Sequence, residues 1–170
     1  MEWWQPRRHK PVFNPRSLGP SFTVLVAEAL ATLPNTWLSG TSPWLGAMAL
    51  FYWCLYKPAH MPIWTCFFLG LMADGMTYTP WGMHVIGFVA LRQVALNQRQ
   101  FLSGRSFTLV WFSFVVAITM LAVVMVLLLG ALGDAFYDRL LFSWLSTCLG
   151  FPLVYSLLAR LHERLLREIG

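Results

Sequence analysis

Three ionisable residues lie in long apolar stretches, and these are the candidates for a chemical role. Glu28 is near the middle of the first stretch, Asp74 near the end of the third and His84 near the start of the fourth. If such stretches cross a membrane, an ionised acid at the bilayer centre costs about 2.5–3.5 kcal/mol on insertion scales. We therefore expect each acid to be hydrogen-bonded, and either neutral or paired with a partner.

Each of these residues has a structural interpretation and a chemical one. Asp74 can accept hydrogen bonds from the amides of the turn at Gly75 to Thr79, or it can face a partner or a polar cavity. Glu28 has no turn nearby, so we expect a neutral carboxyl group with a hydrogen bond to a neighbouring helix; a proton-relay or ligand role is the alternative. A helical hairpin would bring His84 within hydrogen-bonding reach of Asp74, and a structural tie is the favoured interpretation.

The other candidates for catalysis or metal binding show no recognisable pattern. The sequence contains no HExxH motif, no glycine-rich phosphate loop and no nucleophile motif. The remaining histidines lack the spacing of a metal site, and the cysteines form no CxxC pair, so we expect the cysteines to act as small packing residues. We predict a protein that is not an enzyme, with no catalytic residue, metal or cofactor. The remaining histidines are His9, His60 and His162, and the cysteines are Cys54, Cys66 and Cys148.

The apolar stretches themselves predict membrane-spanning helices. The chain is 58% hydrophobic and 11% charged, with a mean hydropathy of +0.60, which is too apolar for a soluble domain of this length. A helix needs about 20 apolar residues to cross a bilayer, so the chain holds about six and no separate soluble domain. Phe107 to Leu132 lacks the alternation of a β-barrel strand, which favours an all-α integral membrane bundle.

Basic residues predict which side of the membrane each end occupies. Eleven of the twelve Lys and Arg residues fall in segments that a six-span arrangement leaves in the cytoplasm, and only Arg139 does not. Short basic loops stay on the cytoplasmic side. We therefore expect both termini to be cytoplasmic. The net charge of +5 would face anionic lipid headgroups, which argues against nucleic-acid binding.

The sequence divides into a basic tail at residues 1–17, a six-span domain at 18–160 and a C-terminal tail at 161–170. In the last tail, leucines at helical spacing alternate with arginines. This pattern predicts an amphipathic helix that lies on anionic lipid or docks a cytoplasmic partner.

Within the six-span domain, we expect span 4 to end near Leu96 and a polar loop to follow from Asn97 to Ser106. Span 6 should run from near Leu140 to near Ala159. Aromatic residues at the predicted span ends indicate an interfacial belt. They are Trp37, Trp44, Trp64, Trp81, Tyr56 and Tyr137.

A compact hairpin on the outer side is predicted between spans 3 and 4. Gly70 would let span 3 approach another helix, and Pro80 would begin span 4 where its missing amide proton costs nothing. Gly82 would leave room beside the turn, and Asp74 would satisfy loop amides or His84. The predicted structural and partner-binding residues are Gly70, Asp74, Pro80, Gly82, His84 and Glu28.

Two short segments are weakly similar to each other: Pro43-Trp44-Leu45-Gly46 and Pro80-Trp81-Gly82. Both segments would lie where the chain re-enters the membrane from outside. Turn chemistry alone is enough to explain the similarity.

These motifs together resemble the bacterial MreD family of rod shape-determining proteins. That family places an aromatic-ending second span before a turn with Pro and His, then a G-x-x-x-D segment and a Pro-x-Gly turn. The matching segments are Phe51 to His60, Gly70 to Asp74, and Pro80 to His84. The compact six-span layout and a Phe151-Pro152 step before basic residues also fit.

The resemblance implies a non-enzymatic inner-membrane subunit of the cell-elongation complex. It implies direct binding to the bitopic protein MreC, in a complex with MreB, RodA and a class B penicillin-binding protein. Such a complex would couple MreB filaments to peptidoglycan synthesis and rod cell shape. The family's bundle also resembles the substrate-binding subunits of energy-coupling-factor vitamin transporters.

Two other functions stay open at this point. A small-molecule (vitamin-type) substrate-binding subunit of a membrane importer would need a polar pocket under the outside loops, and those loops offer few hydrogen-bonding side chains. A channel or proton-coupled carrier would need several ionisable groups in the membrane, for which Glu28 alone is weak support.

Overall fold

The computed structural model describes residues 18–32, 42–77, 81–102, 106–129 and 134–167. These residues form six α-helices and one short 3-10 helix, and none of them lies in a β-strand. The predicted all-α fold is confirmed for this part of the chain. The elements are α1 (Leu18–Thr32), α2 (Leu45–Tyr56), the 3-10 helix (Pro58–His60), α3 (Ile63–Thr77), α4 (Met83–Leu102), α5 (Phe107–Leu129) and α6 (Asp134–Arg167).

Helix α2 is the centre of the bundle. Every residue from Gly46 to Leu55 is buried, because α1, α4 and α6 pack around this helix. Its sequence is apolar on all sides, as expected of a helix that other helices enclose. Helix α3 packs against α4 and α1, and α5 packs against α4 and α6. The other helices therefore surround α2 in the order α1, α3, α4, α5 and α6.

Aromatic rings fill the contact between α2, α5 and α6. Phe114 of α5 stacks on Phe151 of α6 with ring centroids 4.1 Å apart. Phe51 of α2 meets Phe114 edge-on, with centroids 5.3 Å apart. All three side chains are fully buried. Aromatic pairs of this kind contribute about 0.5–1.5 kcal/mol beyond the burial of their area, so the cluster helps to hold the three helices together.

Buried indole N–H groups form hydrogen bonds between helices. Trp53 of α2 donates to Thr23 Oγ1 of α1 at 2.7 Å. Trp144 of α6 donates to Thr119 Oγ1 of α5 at 3.1 Å. An indole in an apolar environment needs such an acceptor, because an unpaired buried donor is destabilising. Tryptophan and threonine pairs therefore select which helices become neighbours.

The outer surface of the bundle is largely apolar. On α5, Phe112, Met120 and Leu127 are 65%, 67% and 79% exposed. Two segments of the described chain are long and apolar enough to cross a membrane: Phe107–Leu127, with a mean hydropathy of 2.7, and Tyr137–His162, with 1.5. Only 28% and 22% of these segments is buried, unlike the core helices of soluble proteins. An integral membrane bundle fits these features, and the count of six spans stays a prediction.

The aromatic residues at the helix ends differ in exposure. Trp64 and Trp81 are 71% and 78% exposed, as an interfacial belt requires. Trp44 instead is half-buried, and its backbone N–H donates to Thr147 Oγ1 at 3.0 Å. Trp37 lies outside the described residues. The belt as a whole therefore stays a prediction.

Helix α4 extends further than its predicted span. It continues to Leu102, so the loop expected from Asn97 to Ser106 was wrong over its first half. Side-chain hydrogen bonds support the additional turns: Gln93 donates to Asn97 Oδ1 at 3.3 Å, and Ser113 of α5 donates to Gln98. Polar residues here continue the helix because they bond to one another and to α5.

Helix α6 also exceeds its predicted span. It begins at Asp134 rather than near Leu140 and runs to Arg167, which is 34 residues or about 51 Å. Asp138 and Arg139 were expected in a loop and instead lie in the first turns, with exposed side chains. An acid near a helix N-terminus is favourable to the helix dipole. The hydrocarbon core of a bilayer is about 30 Å thick, so a helix of this length extends beyond it.

Candidate functional site

The carboxylate of Asp74 joins the end of α3 to the start of α4. Its Oδ2 accepts the Gly82 N–H at 2.7 Å, and its Oδ1 accepts the His84 N–H at 2.9 Å. Backbone N–H groups at a helix start have no acceptor within the helix, and the helix dipole favours a negative charge there. The residue is only 2% exposed. Asp74 therefore caps α4 and bonds His84, one of the two partners expected from the sequence; Tyr78 and Thr79, in the turn that was the other, lie outside the described residues.

Gly82 has a backbone conformation that favours glycine. Its φ is +99°, in the left-handed region that L side chains rarely adopt. A Cβ at this position would meet no atom of the described residues within 4 Å. Space beside the turn was expected from the sequence, whereas the positive φ was not. The glycine permits the chain reversal that brings its N–H to Asp74.

Gly70 allows a close approach between α3 and α4. A Cβ on Gly70 would lie 2.5 Å from Val85 Cα and 2.7 Å from Val85 N. Both atoms belong to the backbone, so neither can move without shifting the helix. Gly70 and Asp74 are four residues apart and share one face of α3. That face is therefore the one that packs on α4.

Glu28 has an equivalent position in the hairpin of α1 and α2. Its carboxylate lies against the backbone of Gly46, in the first turn of α2. A Cβ on Gly46 would overlap Glu28 Oε2 and lie 3.1 Å from Glu28 Cδ. Glu28 is 6% exposed. The neighbouring helix that its carboxylate contacts here is thus α2, and the hydrogen bond that we expected for Glu28 stays a prediction.

The imidazole of His84 connects the two hairpins. Its Nδ1 lies 2.9 Å from Asp74 Oδ1, and its Nε2 lies 3.8 Å from Glu28 Oε1. The first distance is a hydrogen bond, and the second is too long for one but short enough for an ion pair when His84 is protonated. A polar chain therefore crosses four helices. It runs through Gly46, Glu28, His84, Asp74 and Gly82.

The two hairpins share one arrangement. In each, a carboxylate on the first helix lies against a glycine at the start of the second: Glu28 contacts Gly46, and Asp74 accepts the Gly82 N–H. These two glycines end the two similar segments of the sequence. The similarity was apparent from the sequence, but no role for Gly46 was predicted from it. The role of Gly46 could have been predicted by pairing each glycine at the start of a span with the acid in the span before it.

A small cavity of about 30 Å³, with room for about two water molecules, lies beside Glu28 and His84. It lies between α1, α2, α4 and α5 and is walled mainly by apolar side chains. Among the described residues, Glu28 and His84 are the ionisable ones in its lining. The lining consists of Glu28, Trp44, Ala47, His84, Gly87, Phe88, Leu91, Ile118, Leu121 and Met125.

The residues singled out by the sequence thus meet at one end of the bundle. Glu28, Asp74 and His84 form the polar chain, and Gly70 and Gly82 provide the close approach and the turn that it needs. Pro80 lies outside the described residues. Within the described part of the chain, no three His, Cys, Asp or Glu residues form a group that could hold a metal. The chemistry that this geometry offers is hydrogen bonding, ion pairing and the holding of a proton.

Comparison with known protein families gave one match that spans nearly the whole chain. The family model described as rod shape-determining protein MreD matches residues 13–167. No curated protein and no solved structure matched the chain.

Proposed function

The chain belongs to the MreD family of rod shape-determining proteins, and we propose that it is a non-enzymatic inner-membrane subunit that binds MreC. The family is one of membrane proteins with a role in rod shape. The finer proposal is that the chain takes part in coupling MreB filaments to RodA and a class B penicillin-binding protein. In that role the bundle is a scaffold, and its task is to present a fixed surface.

The observation that carries the scaffold proposal is the bonding of Asp74. Its Oδ2 accepts the Gly82 N–H at 2.7 Å, and its Oδ1 accepts the His84 N–H at 2.9 Å and also contacts the His84 ring. A carboxylate that is occupied in this way orders the α3–α4 hairpin. Gly70, one turn away, permits close packing of the same two helices. These features favour a rigid partner-binding hairpin over a reaction centre.

Anionic lipid is the second proposed contact. Arg160, Arg164 and Arg167 lie on the last turns of α6, which projects beyond the length of a bilayer core. Basic residues at such a place favour anionic headgroups of the cytoplasmic leaflet. This arrangement fits a cytoplasmic C-terminus.

A pull-down tests the proposal against the importer alternative. The full chain would be tagged, solubilised from membranes in mild detergent and captured, and its partners identified by mass spectrometry. We expect MreC above all, with MreB, RodA and a class B penicillin-binding protein in smaller amounts. Recovery of ATPase subunits in place of these proteins would overturn the scaffold proposal. An unrelated six-span protein with the same tag serves as the control.

A further inference from the structure

We propose that the small cavity beside Glu28 binds ordered water, which bridges a protonated Glu28 to His84. The cavity has a volume of about 30 Å³, and one water molecule needs roughly 10–15 Å³ of such space. One or two water molecules therefore fit, and larger ligands do not. This inference concerns the interior of the bundle and does not depend on the proposed role in rod shape.

The separation of Glu28 and His84 suits a bridging water. Glu28 Oε1 lies 3.8 Å from His84 Nε2, which is too long for a direct hydrogen bond. Both residues line the cavity, so a water molecule there can bond to each of them. Such a bridge is nearly as favourable in enthalpy as a direct hydrogen bond. Cavities that stay empty are apolar, and these two ionisable side chains make this cavity polar enough to hold water.

Burial favours the neutral form of Glu28. The residue is 6% exposed, and most of the side chains that line the cavity are apolar. An ionised carboxylate in such surroundings loses its hydration, so a proton on the carboxyl group is favourable. A neutral carboxyl group has one O–H donor and keeps acceptor sites. It therefore needs an acceptor and a donor nearby, and water provides both.

The contact with Asp74 orients His84 for the same bridge. Asp74 Oδ1 lies 2.9 Å from Nδ1 of the imidazole, and an ionised carboxylate can only accept a hydrogen bond. The ring proton therefore belongs on Nδ1, which makes Nε2 an acceptor on the side of Glu28. The hydrogen bonds can then run in one direction. The Glu28 O–H donates to water, water donates to His84 Nε2, and Nδ1–H donates to Asp74.

Other small ligands suit the cavity less well. Among the described residues of its lining there is no lysine or arginine, so an anion would have no cationic side chain to pair with. Metal ions in proteins take several nitrogen, sulfur or oxygen ligands. A neutral Glu28 and one histidine do not provide such a set. The size and the chemistry of the cavity therefore both select water.

Solid-state NMR on the full chain in lipid bilayers tests both parts of this inference. Isotope labels on the alanine carbonyl carbons and on glutamate select Glu28, because Ala27-Glu28 is the only Ala-Glu pair in the sequence. The chemical shift of the carboxyl carbon reports protonation, and magnetisation transfer from water reports a water molecule in contact. At neutral pH we expect a protonated carboxyl group and a cross-peak with water. An ionised carboxylate, or the absence of the water cross-peak, would overturn the proposal.

Two variants of α5 locate the water. Leu121 lines the cavity, so Leu121→Phe should fill it and remove the water cross-peak of Glu28. Val124→Phe adds the same ring on the outward face of α5, where Val124 is 43% exposed, and should keep the cross-peak. Cross-peaks of equal intensity in the two variants would contradict a water molecule in this cavity.

Substitutions of Glu28 distinguish a water bridge from an ion pair. Glu28→Gln is neutral and keeps a donor and an acceptor, so its thermal midpoint should stay close to that of the unsubstituted chain. Glu28→Leu has neither group and should unfold at a lower temperature. An ion pair with His84 would need the charge, so an equal decrease of the midpoint in both variants would overturn the bridge. This comparison also decides the matter if Leu121→Phe does not fold.

Discussion

Glu28 and Asp74 face opposite nitrogens of the His84 imidazole, at 3.8 Å from Nε2 and 2.9 Å from Nδ1. The acids belong to α1 and α3, and the histidine to α4. Each acid also lies at the start of the helix that follows it, Glu28 against Gly46 and Asp74 bonded to the Gly82 N–H. Four helices therefore share one polar network in an apolar bundle. Loss of one member takes a partner away from buried polar groups, which is more costly than the loss of the bond itself.

Substitutions of Asp74 should separate hydrogen bonding from charge. Asp74→Asn keeps one oxygen for the His84 N–H but turns an NH₂ group toward the Gly82 N–H, so we expect a partial effect. Asp74→Leu leaves both N–H groups unpaired and should lower the free energy of unfolding by roughly 1–3 kcal/mol. Unfolding in mixed detergent micelles, followed by circular dichroism, measures both changes.

The same two variants test the link between the hairpin and the partner. Recovery of MreC should fall, and cells should become round, more strongly with Asp74→Leu than with Asp74→Asn. Met72→Leu is a control, since Met72 lies on the outward face of α3 and is 52% exposed. Equal loss of rod shape in both Asp74 variants, with protein level and MreC binding intact, would show that the charge itself is required. The transport alternatives would then have to be reconsidered.

Gly82→Ala should destabilise the protein because of backbone conformation alone. Its φ is +99° and a Cβ would meet no atom of the described residues within 4 Å, so we expect a penalty from backbone strain of about 1–2 kcal/mol. Gly75→Ala is the matched control: its Cβ also meets nothing within 4 Å, but it lies in α3. Alanine in a helix is favoured over glycine by about 0.5–1 kcal/mol, so the control should be neutral or stabilising. Equal unfolding free energies for the two variants would contradict the role of the positive φ.

Gly70→Ala should separate α3 from α4. The added methyl would lie 2.5 Å from Val85 Cα, and we expect a loss of about 1–3 kcal/mol in unfolding free energy, as for other overpacked sites. At Gly87 the nearest atom to an added Cβ is Leu121 Cδ2 at 3.8 Å, so Gly87→Ala should be tolerated. A thermal midpoint for Gly70→Ala equal to that of Gly87→Ala would show that the helices adjust at no cost.

The sequence predicted the helical class and the pairing of Asp74 with His84 because both depend on local patterns. Continuous apolar stretches require helices in lipid, and a short turn brings residues at its two ends together. The contact of Glu28 with His84 was not predicted, because it requires α1 to pack beside α4 and no local pattern specifies that packing. The role of Gly46 was missed for the same reason.

The helix ends were predicted less well than the helices. The polar residues from Asn97 to Gln100 resemble a loop when they are considered one at a time. Hydrogen bonds of Asn97 with Gln93 of the preceding turn, and of Gln98 with Ser113 of α5, support the helix here. The positive φ of Gly82 was not predicted either, since a backbone angle cannot be inferred from residue size. These are tertiary effects that override local preference.

The membrane topology is a prediction that reporter fusions can decide. We expect six spans with both termini in the cytoplasm, because eleven of the twelve basic residues fall in segments that this arrangement leaves in the cytoplasm. A fusion at Gly170 should report the cytoplasm, and a fusion near Gly40 should report the periplasm. Fluorescent protein and alkaline phosphatase are the two reporters, since each is active on one side only. A periplasmic C-terminus would overturn the arrangement.

Removal of the end of α6 should distinguish lipid contact from partner docking. Helix α6 runs to Arg167, and His162 lies near Tyr52 of α2, with 3.4 Å between Tyr52 Oη and His162 Nδ1. A truncation after His162 keeps this contact, so the bundle should retain its thermal stability. If the tail docks a cytoplasmic partner, the truncated protein should fail to support rod shape although it reaches the membrane. Replacing Arg164 and Arg167 with glutamine in the full chain is the companion variant, since it removes charge and keeps the helix. Normal rod shape and complex assembly in the truncated protein would rule out docking and leave the lipid surface as the contact of this tail.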